Sequence, residues 1–144
     1  METLTMGKVV VTAKIQNVAD LYLVHRGNLA ADQVRYLEVT DALVDTGATT
    51  LSMPRRLIAQ LGLVPFRTRT VRTAAGLATL QIYGGAYLVV QDRECSCDVT
   101  EVADECPVLI GQIPLEALDL VVDTKGRRLI GNPEHGGEHV MELY

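Results

Sequence analysis

A carboxylate, a hydroxyl and a glycine stand in a row at Asp45-Thr46-Gly47. They follow the apolar run Ala42-Leu43-Val44 and precede Ala48-Thr49-Thr50-Leu51. An acid at the end of a buried strand is costly to desolvate unless something there uses its charge. The Thr46 hydroxyl is expected to tie the turn down, and Gly47 lets backbone approach whatever the carboxylate handles. Such a rigid, acid-bearing loop suits acid–base work on a bound water. The same tripeptide occurs in solvated surface turns, where Gly takes a positive φ. Those turns have polar flanks, whereas the flanks here are Leu43-Val44 and Leu51.

A second signal lies downstream. Pro107-Val108-Leu109-Ile110-Gly111 is again an apolar strand ending at Gly, with a short helix expected from Pro114. The first motif has the same layout, with Pro54 opening Arg55-Arg56-Leu57-Ile58-Ala59-Gln60-Leu61. The chain therefore carries a faint repeat of strand, glycine and helix, with a carboxylate in the first copy alone. On Ala42 to Ala48 and the paired Val108-Leu109-Ile110-Gly111, the chain resembles the retropepsins, the single-domain, retroviral-type aspartic peptidases. The resemblance spans roughly Lys8 to Leu129. It implies a mostly β, closed acid-protease barrel with one or two short helices, working as a homodimer whose active site is shared across a two-fold axis. Retroviral members usually carry an acid two residues after the first motif's Gly and an Arg after the second motif's Gly, and the two normally pair. Here those positions are Thr49 and Gln112, which suggests a replaced salt bridge and removes the basis for expecting a viral-type substrate preference.

Hydrolysis of a peptide by carboxylates needs two of them around one water. One takes the water's proton and the other, protonated, polarises the scissile carbonyl. They share a proton because like charges ~3 Å apart cannot both ionise. Asp45 is the one suitable acid in the chain. Asp41 shares its strand face but would lie about 13 Å away at ~3.3 Å per residue. Asp119 and Asp123 read as a helix-end acid and a turn acid. Symmetry supplies the partner: in a two-fold dimer, Asp45 meets Asp45.

The resemblance implies a lid over the site, which falls on the hairpin tip Ala74-Ala75-Gly76 between strands Arg67–Thr73 and Leu77–Tyr83; an ordinary exposed hairpin is the competing reading. The tip's small residues leave backbone free to bind an extended polypeptide substrate. Leu43 and Leu109, with Pro107 and Ile113 beside them, are candidate apolar pocket walls; core packing is the competing reading for Leu109. Arg67, Arg69 and Arg72 read as a solvated face rather than a specificity device.

Elsewhere, a strand is expected over Lys8–Ile15, a turn over Asn17–Asp20 and a partner strand over Leu21–His25. Gly27–Asp32 reads as a loop, and Tyr36–Asp45 as the strand that delivers the motif. Pro54 and Gly62 bound a helix. Further strands are expected over Ala86–Gln91, Ser96–Val102, Pro107–Ile110, Leu120–Val122 and Arg128–Ile130, with a helix over Pro114–Asp119. Short strands with turn signals every ~8–12 residues indicate an all-β closed sheet. Residues 1–144 read as a single domain, with 131–144 either a loose tail or part of a dimer interface. In the latter case, as the resemblance implies, Val140–Tyr144 would pair as a terminal strand and, with Lys8–Val11, hold the dimer together; both segments are apolar and terminal.

The 144 residues suffice for one domain with a core, and 48% are hydrophobic. A net charge of −5, with no basic cluster larger than Arg55-Arg56 or Arg127-Arg128, argues against nucleic acid. No run approaches the ~20 apolar residues of a membrane span. The Met1-Glu2-Thr3 start lacks a signal-peptide pattern, and three cysteines suit a reducing cytoplasm. No cofactor is expected. Cys95, Cys97, Cys106, His135 and His139 are a conceivable metal set, but their spacing matches no familiar zinc pattern, and small core thiols and a polar tail are the better reading. The residues thus point to an aspartic endopeptidase. The rival is a dimeric peptide-binding or scaffold module of the same fold with little or no turnover.

Overall fold

The structure, a computed structural model, describes residues 8–143. The Met1-Glu2-Thr3 start and Tyr144 lie outside the described residues. Among those described, the chain is mostly β, with three short α-helices. Strands and helices run β1 (Val9–Asn17), α1 (Val18–His25), β2 (Tyr36–Val44), β3 (Leu51–Pro54), α2 (Arg55–Leu61), β4 (Val64–Thr73), β5 (Gly76–Val90), β6 (Arg93–Val102), β7 (Leu109–Ile110), α3 (Gln112–Leu118), β8 (Leu120–Asp123) and β9 (Arg128–Gly131).

Alternation decides which face of each strand is buried. Along β1, Val9, Ala13, Ile15 and Asn17 point inward while Val10, Thr12 and Lys14 face out. The main sheet runs β1-β2-β7-β3-β6-β5-β4, and β1 also pairs with β5, so six strands are joined in a ring. The inward residues Ile15, Leu51, Met53, Leu88, Val99 and Ile110 meet inside it, essentially without solvent exposure. β8 and β9 form a separate hairpin.

Two strands expected around Gly84-Gly85 are one. β5 pairs with β4 from Gly76 to Gly84, then with β6 and β1 toward its end. Its first half and β4 therefore form an arm ending at the Thr73–Gly76 turn, while its second half belongs to the ring. The strand β3 is only four residues, all buried. In the sequence it merges with the approach to α2.

The turn and strand expected over Asn17–His25 are helix α1. The run Leu21-Tyr22-Leu23-Val24 has a strand-like composition, but the residues before it decide otherwise. Asn17 caps the helix, its Oδ1 accepting from the Asp20 N–H at 3.0 Å. Its Nδ2 donates to the Leu61 carbonyl at 2.8 Å, tying the cap to α2. Asp20 is buried and takes a two-pronged bond from the Arg35 guanidinium, 2.9 Å on each side, plus the Arg35 N–H at 3.0 Å. That guanidinium holds the Asp20 carboxyl below the usual carboxylate range.

The Pro54 and Gly62 expectations hold. Pro54 is the N-cap of α2, and Gly62 closes it at φ 64°. In the tail, a 3-10 turn at Pro133–His135 is followed by irregular chain, so Val140–Leu143 form no strand. This segment is nonetheless anchored. Asp119, the left-handed C-cap of α3, accepts from Asn132 Nδ2 at 3.1 Å and from the Val140 N–H at 3.1 Å, and bonds His135 Nδ1 at 2.7 Å. His135 Nε2 reaches Glu142 at 3.0 Å. Arg93 donates to the carbonyls of Leu118, Asp119 and Gly137.

Candidate active site

The site begins where β2 and β7 lie side by side. They pair in parallel, Leu43 with Leu109 and Val44 with Ile110. β3 then pairs with the other edge of β7, so the chain leaves β2, passes over the end of β7 and returns beyond it. The passage is Asp45 to Thr50. It is pinned to the start of α3 by three backbone bonds: Gly111 N–H to Thr50 O at 3.0 Å, Gln112 N–H to Ala48 O at 2.8 Å and Ile113 N–H to Thr49 O at 2.9 Å. The Asp45 N–H donates to Ile110 O at 3.0 Å, and the Ala48 N–H closes a tight turn onto Asp45 O at 3.0 Å. The acid-bearing loop is thus fixed by main chain on both sides.

Within this frame, Asp45 is half-buried and its Oδ1 accepts the Gly47 N–H at 2.9 Å. A Cβ on Gly47 would stand 3.2 Å from that oxygen, so the glycine lets the carboxylate sit against the turn. The Thr46 hydroxyl does not tie the turn. It is exposed, and among the described residues it makes no hydrogen bond. The tie is the aspartate's own oxygen and the pinned backbone.

Gly111 follows Ile110 in the register where Asp45 follows Val44, so it is the second copy's counterpart of the acid. It tolerates no side chain. A Cβ there would meet Ala48 O at 2.7 Å and Thr50 O closer still. The repeat therefore cannot carry a second aspartate at the matching position of the same chain. Asp119 and Asp123 are committed elsewhere, Asp119 to the tail and Asp123 to Arg128 at 3.3 Å.

Thr49 and Gln112, the two departures from the retroviral pattern, do not meet through side chains. The Gln112 amide turns to Glu116 at 3.0 Å. Backbone bonds join the two segments instead.

Beside the loop lies a cavity of about 350 Å³. Thr49, Thr50 and Ile113 form the wall nearest the motif; Val71, Leu80 and Ile82 form the wall contributed by the β4–β5 arm. Thr50 and Thr100 hydroxyls, also lining it, bond each other at 2.7 Å. Ala74, Ala75 and Gly76 stand exposed at the arm's tip, with Gly76 at φ 118° and the turn held by Thr73 Oγ1 accepting from the Ala75 N–H and donating to Gly76 O. Leu43 and Leu109 are half-buried neighbours on adjacent strands and do not line this cavity. Pro107 is exposed and also outside it.

The cavity does include Arg67 and Arg69. Both arginines are exposed, as is Arg72 on the opposite face. The sequence does not carry the proximity of Leu80 and Ile82, which close the cavity beside them. Cys95, Cys97 and Cys106 are free thiols, with Cys97 on the cavity wall. Among the described residues no group of three or more His, Cys, Asp or Glu side chains is arranged to hold a metal. No helix among them is long and apolar enough to cross a membrane.

Comparison with curated proteins finds no match. A family model described as aspartyl protease, of the retropepsin-like kind, matches residues 33–113, more than half of the chain. That stretch runs from the approach to β2 through the acid-bearing loop, the arm and the cavity to the start of α3, and it makes the chain a member of the retropepsin-like aspartyl proteases.

Proposed function

We propose that the protein is an aspartic endopeptidase whose active site forms when two copies bring their Asp45 carboxylates together on a two-fold axis. The observation that carries this reading is that Asp45 and Gly111 follow directly on the paired residues Val44 and Ile110. One strand end presents a held carboxylate, and the matching strand end has no room for another. A second acid must then come from a second chain, and a two-fold axis is the simplest source.

The chemistry follows from the pair. The ionised Asp45 accepts a proton from the water between them. The water oxygen attacks the scissile carbonyl carbon while the protonated Asp45 gives its proton to the carbonyl oxygen. Collapse of the tetrahedral diol breaks the C–N bond as a proton passes to the departing amine. The β4–β5 arm acts as a flap, its tip covering an extended peptide and excluding water. Thr49, Ile113 and the inner face of the arm form a side-chain pocket, with Leu43 and Leu109 supporting the loop from below.

The test is cleavage of a diverse peptide library by wild type beside Asp45→Asn, with the fold checked by circular dichroism. The variant should lose about 10²–10⁴-fold or more in rate, and the wild-type rate should fall on both sides of an acidic optimum, as a proton-sharing pair requires. Residual activity within about tenfold of wild type excludes this role for Asp45. The outward turn of Gln112 and the unpartnered Thr46 hydroxyl favour one rival, a dimeric peptide-binding module. It predicts peptide binding by wild type with no cleavage at any pH.

A further inference from the structure

The inner face of the flap arm carries an unbalanced positive charge. On β4, Arg67, Arg69 and Val71 alternate onto one face, and register sets Arg67 opposite Ile82 and Arg69 opposite Leu80. All five line the cavity. Arg67 is matched, its Nη2 lying 2.8 Å from Asp98 Oδ2 on β6. The Arg69 guanidinium has no hydrogen bond or ion pair among the described residues, and the residue is solvent-exposed at the cavity's edge. The cavity's charged side chains are therefore two arginines and one aspartate, within a chain of net charge −5.

We propose that Arg69 selects an acidic side chain, glutamate or aspartate, on the peptide residue that enters this cavity. The proposal deepens the peptidase reading and rests on it for the peptide's location. Leu80, Ile82 and Val71 receive the methylene stem, and the free guanidinium takes the carboxylate through two parallel N–H···O bonds. Asp98 does not compete for Arg69, because Arg67 neutralises it. A basic substrate side chain in the same place meets the uncompensated Arg69 guanidinium and is disfavoured. The cavity, at about 350 Å³, is at the small end of ligand sites, which span ~300–1,000 Å³.

The experiment uses full-length protein and extended octapeptides that carry Glu, Gln or Lys in turn at each position. Binding is measured on the Asp45→Asn protein, cleavage on wild type, and both again with Arg69→Gln and Arg69→Glu. At one position Glu should be favoured over Gln by about tenfold, with the preference shrinking as salt rises. Arg69→Gln should abolish that ratio, and Arg69→Glu should turn it toward Lys. A Glu:Gln ratio unchanged by Arg69→Gln, or no binding of any acidic peptide, overturns the proposal. Cleavage without an acidic preference overturns it while leaving the peptidase reading intact. An Arg69-dependent preference in binding, with no cleavage by wild type, upholds the proposal and removes the peptidase.

Discussion

Replacing Gly111 by alanine tests how the acid-bearing loop is held. The new Cβ would lie 2.7 Å from Ala48 O and nearer to Thr50 O, whereas ordinary contact begins at 3.4 Å. Ala48 O must withdraw by about 0.7 Å, and Thr50 O by more. Those two carbonyls accept from Gln112 N–H and Gly111 N–H at 2.8 and 3.0 Å, so both bonds lengthen beyond useful range. Each is worth about 1 kcal/mol net, and forcing extra volume into packed backbone costs about 1–3 kcal/mol. The expected destabilisation is about 3–5 kcal/mol, a drop of roughly 10 °C or more in melting temperature. Because Asp45 hangs on the same loop, peptide cleavage should fall about 10²-fold even well below the melting temperature, since a displacement near 1 Å is enough. Urea unfolding and library cleavage measure the two effects. A stability loss under about 0.5 kcal/mol with activity within twofold of wild type would refute the argument that close backbone approach fixes the loop.

Two further predictions concern the flap and the tail. Gly76→Val places a β-branched residue at φ 118° on an open tip; kcat/KM should fall about tenfold while the melting temperature drops by no more than the roughly 2–10 °C that about 1–3 kcal/mol of local strain implies, and full activity would show that the tip is not a lid. In the tail, the Asp119 carboxylate and then that of Glu142 hold the His135 pKa above its ordinary 6.5, and the His135 hydrogen bond is the main cause holding Asp119 down at about 2. The histidine's contribution to docking is therefore complete below pH 6.5 and lost as pH rises through its raised value, whereas that of Asp119 is present above 3.8 and lost as pH falls toward 2. The Val140 amide, which donates to Asp119, should titrate with His135 in NMR spectra between about pH 5 and 9 and stop doing so in His135→Gln. A Val140 resonance that is pH-independent in wild type would contradict the linkage.

The parts of this molecule readable from sequence are those decided by neighbours in the chain. Strand β2 with Asp45 just past its end, helix α2 between Pro54 and Gly62, and the hairpin at Ala74-Ala75-Gly76 each carry their own local signal. Helix α1 was misleading because Leu21-Tyr22-Leu23-Val24 suits either state. The choice is made by Asn17 reaching Leu61 and by Asp20 meeting Arg35, contacts to residues far along the chain. The continuity of β5 through Gly84-Gly85 depends on β1 and β6 pairing with its second half, which no local window contains. At the site, the acid and its glycine were visible, but the reason Gly111 is glycine was not. It lies in carbonyls of the loop that crosses β7. Arg67 and Arg69 are exposed, as their alternation suggests, but that they also border a cavity depends on Leu80 and Ile82 of the partner strand, which no local window contains.

The central claim, one Asp45 from each of two chains, is tested most directly by mixing. Wild type is equilibrated with increasing amounts of Asp45→Asn at fixed wild-type concentration, above the dimer dissociation constant, and cleavage is measured per wild-type chain. If both carboxylates are needed, every mixed dimer is inactive, and activity per wild-type chain falls with the wild-type fraction, to about a quarter at a threefold excess of the variant. Activity per wild-type chain that stays constant throughout the titration would show that a single Asp45 suffices and would contradict the shared site.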